Sequence, residues 1–355
     1  MSLSEIRRCA FVVSGDTPWR CFLVQAKQTL MRWQGLVYPD VYSLPRWLGS
    51  KRLDFLAVGQ KIEVGRYDYI FTELNAGVEQ IRYPLTLMEH DHGKVVVIPG
   101  PPELFPLNAS PEANQWARRL LGGAGQVWAY APEVAAFADE LAQAEVARVI
   151  PWPFDYAATR HLGLPRRSRS SRIRVLLGVP LRFEGIAANN PQFLEECIVD
   201  ALADLSQPQR ERFQFLGMVY TREDELAWRR SGFGKKIGAV LEPKMLYHRF
   251  VRFLGSVDAV ITLPRFTVLG RIAFLAAALG KPGIFTDNVA LHRRLYPQSL
   301  VQTSADEGLR ELVRELLLGL LKEEPLTIFQ PEEQAARQVG DFEKNAVVVR
   351  QMLER

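Results

Sequence analysis

Short runs of β-branched and other apolar residues alternate with longer segments of helical periodicity along most of this chain. In the first half the runs are Cys9–Val13, Gly35–Tyr38, Phe55–Val58, Tyr69–Thr72, Lys94–Ile98, Gln126–Tyr130 and Ala147–Ile150. In the second half they are Ile173–Leu177, Phe213–Leu216, Ile237–Val240, Ala259–Thr262, Gly283–Phe285 and Ser299–Val301. Several are apolar throughout, as strands buried on both faces of a parallel sheet should be. Between them, helices are predicted over Thr17–Trp33, Ala113–Leu121, Glu133–Gln143, Pro191–Leu205, Leu246–Leu254, Val268–Leu279 and Glu307–Leu321. This alternation predicts doubly wound α/β domains.

The pattern breaks once. Gly163-Leu-Pro-Arg-Arg-Ser-Arg-Ser-Ser-Arg172 has turn formers and charge but almost nothing to build a core, and the alternation then restarts at Ile173. The expected organisation is a domain over 1–162, a linker over 163–172, a second domain over 173–330 and a helical tail over 331–355. In the tail, Phe342, Val347, Val348 and Met352 are the apolar positions. Open parallel sheets bind ligands beyond the carboxyl ends of their strands, so residues at those ends are the ones to interrogate.

Composition narrows the class. A chain of 355 residues is comfortable for two domains. Forty-four basic against forty acidic residues is too balanced for a dedicated nucleic-acid binder. Cys9, Cys21 and Cys197 give an odd count without metal-ligand spacing, which fits a reducing cytoplasm. Arg7 and Arg8 precede only a strand-length apolar run, and the longest such run, Ile272–Leu279, suits a buried helix rather than a membrane span.

Asp258–Phe285 is the most informative stretch. It reads as a strand, a turn at Pro264, a helix from about Val268, a stop at Gly280 and another strand. Thr267 is the expected N-cap. A helix N-terminus offers free N–H groups and partial positive charge, so it suits a phosphate, and Arg265 and Arg271 flank it. The plainer reading is a core strand-helix unit of any α/β protein with surface arginines.

The small-residue helix followed by Leu279-Gly-Lys-Pro282 and a strand resembles the donor-binding lobe of GT-B glycosyltransferases, family 4 in particular. Anchoring on Gly280 and Pro282 puts the family glycine on Gly270, while its two glutamates fall on Thr267 and Leu275 and are missing. The order of segments elsewhere is similar too. It includes Tyr67–Glu73, Gly93–Ile98, Gln126–Glu133, Ala147–Asp155 and Phe213–Gly217, about 300 residues in all, with no single motif intact.

The resemblance implies two Rossmann-like domains facing across a cleft, with a C-terminal helix able to cross back to the first. It implies a nucleotide-sugar donor on the second domain, held by Arg182 in the loop after Leu177, by Gly217, and by Arg265, Thr267, Gly270 and Arg271. No metal is implied. The acceptor, a glycan, lipid or small molecule, would lie on the first domain. Glu73, at the end of a predicted strand there, is the candidate base for an inverting reaction. A catalytically degenerate binding or scaffold protein is the alternative that the missing glutamates raise, and no convincing carboxylate pair supports an epimerase.

His90 and His92 precede a strand and read as a polar turn rather than a metal site; His161 and His292 stand isolated. The segment Arg160–Arg174 holds six arginines and no acid, and reads as a solvated linker. Lys27, Arg32, Trp33, Arg46, Trp47, Lys51 and Arg52 mix basic and aromatic residues, which suits either peripheral contact with an anionic membrane or a plain exposed helix and loop.

Overall fold

The structure is a computed structural model. It describes residues 8–14, 38–44, 63–74, 85, 87–89, 91–100, 110–152, 154–163, 172–178, 191–218, 222–243, 245, 247–264, 270–302 and 307–353. Two six-stranded parallel sheets organise them, in two units: Met1–Pro153 with Phe342–Arg355, and Phe154–Asp341.

The first unit holds β1 (Arg8–Ser14), β2 (Tyr38–Leu44), β3 (Tyr69–Leu74), β4 (Val95–Pro99), β5 (Gln126–Ala129) and β6 (Ala147–Val149). They lie in the order β2-β1-β3-β4-β5-β6. Helix α1 (Pro111–Gly123) starts where Ser110 Oγ accepts the Ala113 N–H at 3.1 Å, with proline at the first helical position. Its Ala113, Ala117, Leu120 and Leu121 form one buried stripe in the same cluster as Ile70, Val95, Val97 and Val127. Helix α2 (Pro132–Ala142) follows, and Asp139 Oδ1 accepts the N–H groups of Val146 and Ala147 at 2.8 Å each, tying it to the start of β6. Alternation along the strands sends Phe71 and Trp128 elsewhere, edge to face at 5.3 Å.

The second unit runs α3 (Tyr156–Gly163), β7 (Ile173–Leu177), α4 (Pro191–Ala203), β8 (Phe213–Met218), α5 (Arg222–Ser231), β9 (Val240–Glu242), α6 (Tyr247–Gly255), β10 (Ala259–Thr262), α7 (Arg271–Ala278), β11 (Gly283–Thr286), α8 (Ala290–Leu295), β12 (Leu300–Val301), α9 (Glu307–Lys322) and α10 (Glu333–Val339). The sheet order β12-β11-β10-β7-β8-β9 is, from its far edge, the unit's third, second, first, fourth, fifth and sixth strands, the dinucleotide-binding Rossmann arrangement. Val175 and Leu177 share a core with Leu194 and Ile198 of α4 and Val313 and Leu317 of α9. Residues 273–278 of α7 are all buried, and four of them are alanines, which let a helix enclosed on every side approach its neighbours.

Helix α11 (Phe342–Leu353) belongs to the first unit. Asn345 Nδ2 donates to the Trp152 carbonyl at 3.3 Å, and the Tyr69 hydroxyl donates to the Leu353 carbonyl.

Four expectations need correction. The units divide at Pro153–Phe154, not within 163–172, because α3 packs in the second unit: Phe154 stacks on Phe274 at 4.4 Å, and a Cβ on Gly163 would meet Leu279 at 2.2 Å. The tail is two helices in different units, broken at Gly340, where a Cβ would lie 2.7 Å from the Tyr156 nitrogen. The buried stripe of α11 is Ala346, Val349 and Leu353, whereas Val347 is 49% exposed. The strand expected at Ile237–Val240 begins only at Val240, because Gly232, Gly234 and Gly238, all at positive φ, hold a turn before it. The predictions at Thr17–Trp33 and Phe55–Val58 lie outside the described residues.

Candidate functional site

The order of the second sheet reverses between β7 and β10. Such a reversal is the topological switch point at which open α/β sheets bind ligands, beyond the carboxyl ends of the strands. Gly178 follows β7 there. Its N–H donates to the Ile261 carbonyl at 2.8 Å, and its own carbonyl accepts the Thr262 hydroxyl at 3.1 Å. A Cβ on Gly178 would stand 1.9 Å from Thr262 Oγ1, so space alone demands the glycine.

The next strand repeats the device. Thr286 ends β11, and its hydroxyl donates to the Pro264 carbonyl at 2.8 Å, tying down the turn after β10. The Thr286 carbonyl contacts His292 Nδ1 at 2.9 Å. A carbonyl can only accept, so Nδ1 carries the proton. His292 is fully buried and burial pulls its pKa down to about 4, so the ring is neutral, and Nε2 has no partner among the described residues. Arg293 donates to the Asp287 carbonyl, so α8 secures the whole turn after β11.

Helix α7 starts beside this frame. Its N-cap is Gly270, at φ 69 and ψ 25, where an added Cβ would crowd Leu291 of α8 at 3.1 Å. The first intrahelical bond runs from the Phe274 N–H to the Gly270 carbonyl at 3.0 Å. The amides of Arg271, Ile272 and Ala273 therefore have no acceptor within the helix. This corrects the expected start at Val268 with a Thr267 cap: the left-handed glycine turns the chain into the helix three residues later. Arg271 is the first helical residue and is half-buried. Leu275, on a family glutamate position, is completely buried.

Gly270 and Arg271 thus stand together at the carboxyl edge. Arg182, Arg265 and Thr267 lie outside the described residues, although the segments that carry them leave from Gly178 and from Pro264, both at this edge. Gly217, near the end of β8, pairs with Leu177 and has a packing duty of its own: a Cβ there would fall 2.3 Å from the Trp228 ring. In the first unit, Glu73 takes the last position but one of β3, paired with Ile98, on a strand that borders the switch point between β1 and β3.

His92 opens a short 3-10 turn, His92–Lys94, and its carbonyl accepts the Gly125 N–H at 2.9 Å; His90 lies outside the described residues. Among the described residues no three His, Cys, Asp or Glu side chains gather as for a metal ion, and no helix is long and apolar enough to cross a membrane. Residue-by-residue reading missed the threonine frame and His292. A signal was present, since the run Ala259–Thr262 ends in threonine and Thr286 directly follows the run Gly283–Phe285.

Two Rossmann-like α/β units with the second in nucleotide-binding strand order give this chain the GT-B fold. Sucrose-phosphate synthase from Thermosynechococcus elongatus superposes with a TM-score of 0.69 at 12% identity, over 98% of both chains. Anabaena HepE, solved in complex with UDP and glucose, superposes at 0.66 and 14% identity over 98% of this chain and 99% of its own. The UDP-GlcNAc 2-epimerase of Methanocaldococcus jannaschii does so at 0.56 and 10% identity, over 98% and 100%. No family model matches the chain, and no curated protein sequence does.

Proposed function

We propose that this protein is a glycosyltransferase that binds a nucleotide-activated sugar at the carboxyl edge of the second sheet and passes the sugar to an acceptor held by the first unit. The observation that carries this reading is the switch point between β7 and β10. There Gly178, held by Thr262, and the start of α7 at Gly270 frame a crevice suited to a diphosphate. The likeness to HepE, solved with UDP and glucose, supports a uridine nucleotide as the first ligand to try.

In this reading Arg182 and Arg265 contribute charge-assisted contacts to the diphosphate, Arg271 and the α7 amides complete the cradle, and Gly217 lets the nucleotide approach β8. Catalysis then rests on orienting the donor and stabilising the leaving diphosphate, with Glu73 as base if the reaction inverts, and without a bound metal. Thr267 and Leu275 stand where the resembling family has glutamates, so donor hydroxyls are met by other groups. The reading places the protein in the cytoplasm.

Calorimetric titration with UDP and UDP-glucose tests the binding. Arg182→Ala and Arg265→Ala should each weaken it by roughly tenfold or more, the equivalent of about 1.5–3 kcal/mol. Absence of any nucleotide binding sinks the reading. Incubation of UDP-GlcNAc alone separates it from epimerisation, since the fold is shared with an epimerase: appearance of the C2 epimer overturns transfer. Tight binding without turnover across an acceptor panel points to a scaffold.

A further inference from the structure

The opposite, amino edge of the second sheet concentrates positive charge on elements that the proposed chemistry does not use. Arg172 is exposed just before β7, and Arg174 follows inside the strand. The Arg174 guanidinium lies 5.5 Å above the Phe253 ring of α6, and its NH1 donates to Ser256 Oγ at 2.6 Å. Helices α6 and α3 meet backbone to backbone, since a Cβ on Gly255 would fall 2.1 Å from the Gly163 carbonyl oxygen. Their outer faces therefore adjoin. Helix α6 exposes His248, Arg249 and Arg252, and α3 exposes Arg160 and His161. Arg249 sits one helical turn before Phe253, the residue on which Arg174 stacks.

Of the acids nearby, two are held by backbone N–H groups and one is ion-paired. Asp258 Oδ2 accepts the Arg174 N–H at 2.7 Å, Asp155 Oδ1 accepts the Ala158 N–H at 2.8 Å, and Glu333 is held by Arg337 and Arg160. Among the described residues, neither Arg249 nor Arg252 forms an ion pair. Lys281 is not part of the face: its ammonium is turned inward onto the Gly255 carbonyl at 2.8 Å.

We propose that this face, built from α3, α6 and the start of β7, docks the protein on an anionic lipid bilayer. Arg249 and Arg252 of α6 and Arg174 of β7, with the half-exposed rings of Tyr247 and Phe253 among them, combine headgroup attraction with interfacial aromatic contact. The chain as a whole carries a net charge of only +4, so the attraction comes from where basic residues cluster rather than from net charge. Docking here leaves the carboxyl edge of the same sheet open, and it does not depend on the glycosyl-transfer reading.

Flotation of the full chain with vesicles of equal parts phosphatidylcholine and phosphatidylglycerol tests it, against pure phosphatidylcholine as control. The wild-type protein should float with the anionic vesicles only, and less as salt rises. Each arginine near such a surface is worth roughly fivefold in partition, so Arg249→Gln with Arg252→Gln should weaken it about 25-fold at an unchanged unfolding midpoint. The proposal is overturned if wild type ignores anionic vesicles, binds both kinds alike, or floats as well as the double variant. Retention on single-stranded RNA that the double variant alone loses, without vesicle binding, assigns the face to nucleic acid instead.

Discussion

Gly178→Ala strikes the point where fold and candidate site meet. The new methyl would arrive 1.9 Å from Thr262 Oγ1, 3.2 Å from Thr262 Cβ and 3.4 Å from Ile272 Cδ1. Thr262 is only 5% exposed, so its hydroxyl cannot swing into water when displaced from the Gly178 carbonyl. The lost bond and stranded hydroxyl cost about 1–3 kcal/mol, and the crowding adds about 1–3 kcal/mol. A total of about 2–6 kcal/mol lowers the urea midpoint by about 1–2 M at an m-value of about 3 kcal/mol/M. Thr262→Ala added to Gly178→Ala removes the struck oxygen and leaves the 3.2 Å contact, so the pair should cost about 1–2 kcal/mol less than the sum of the singles. Gly178→Ala with an unchanged midpoint, or strict additivity in the double variant, would refute the reasoning.

Gly217→Ala drives a methyl into the Trp228 ring and should cost about 2–3 kcal/mol whether or not a nucleotide is present; Trp228→Phe in the same chain should recover part of it, measured by thermal unfolding. His292 sets a pH dependence. Its folded pKa, about 4, lies below its ordinary 6.5, so the unfolded chain binds the proton first; the stability is fully present above pH 6.5 and is lost as pH falls toward 4, by about 3 kcal/mol. His292→Gln should flatten that part of the stability–pH curve, and an unchanged slope between pH 6.5 and 4 would show that the ring does not titrate as its burial implies.

Much of the fold was legible in the chain. Val95–Ile98 is apolar throughout, Ala259–Thr262 is apolar up to its last residue and Ile173–Leu177 is apolar but for Arg174 near its start, and each is a strand of a parallel sheet, because a chain shielded on both faces leaves few positions for a polar residue. The candidate site was legible only as a neighbourhood. Its expected cap, Thr267, gave way to Gly270, because the left-handed turn under Leu291 depends on α8, a helix whose six residues are too few to announce a period.

Local pattern alone therefore determined two α/β units, most of their strands and the strand ends worth testing. Tertiary structure alone decided that α3 belongs to the second unit, that the tail is shared between units, and that two threonine hydroxyls brace the switch point. Periodicity reports which side of a segment is shielded, but not which distant segment shields it. Gly163 meeting Gly255, and Tyr156 donating its N–H to the Gly340 carbonyl at 3.0 Å, are contacts between residues far apart in the chain. Each became necessary only once the backbones stood too close for a side chain to fit.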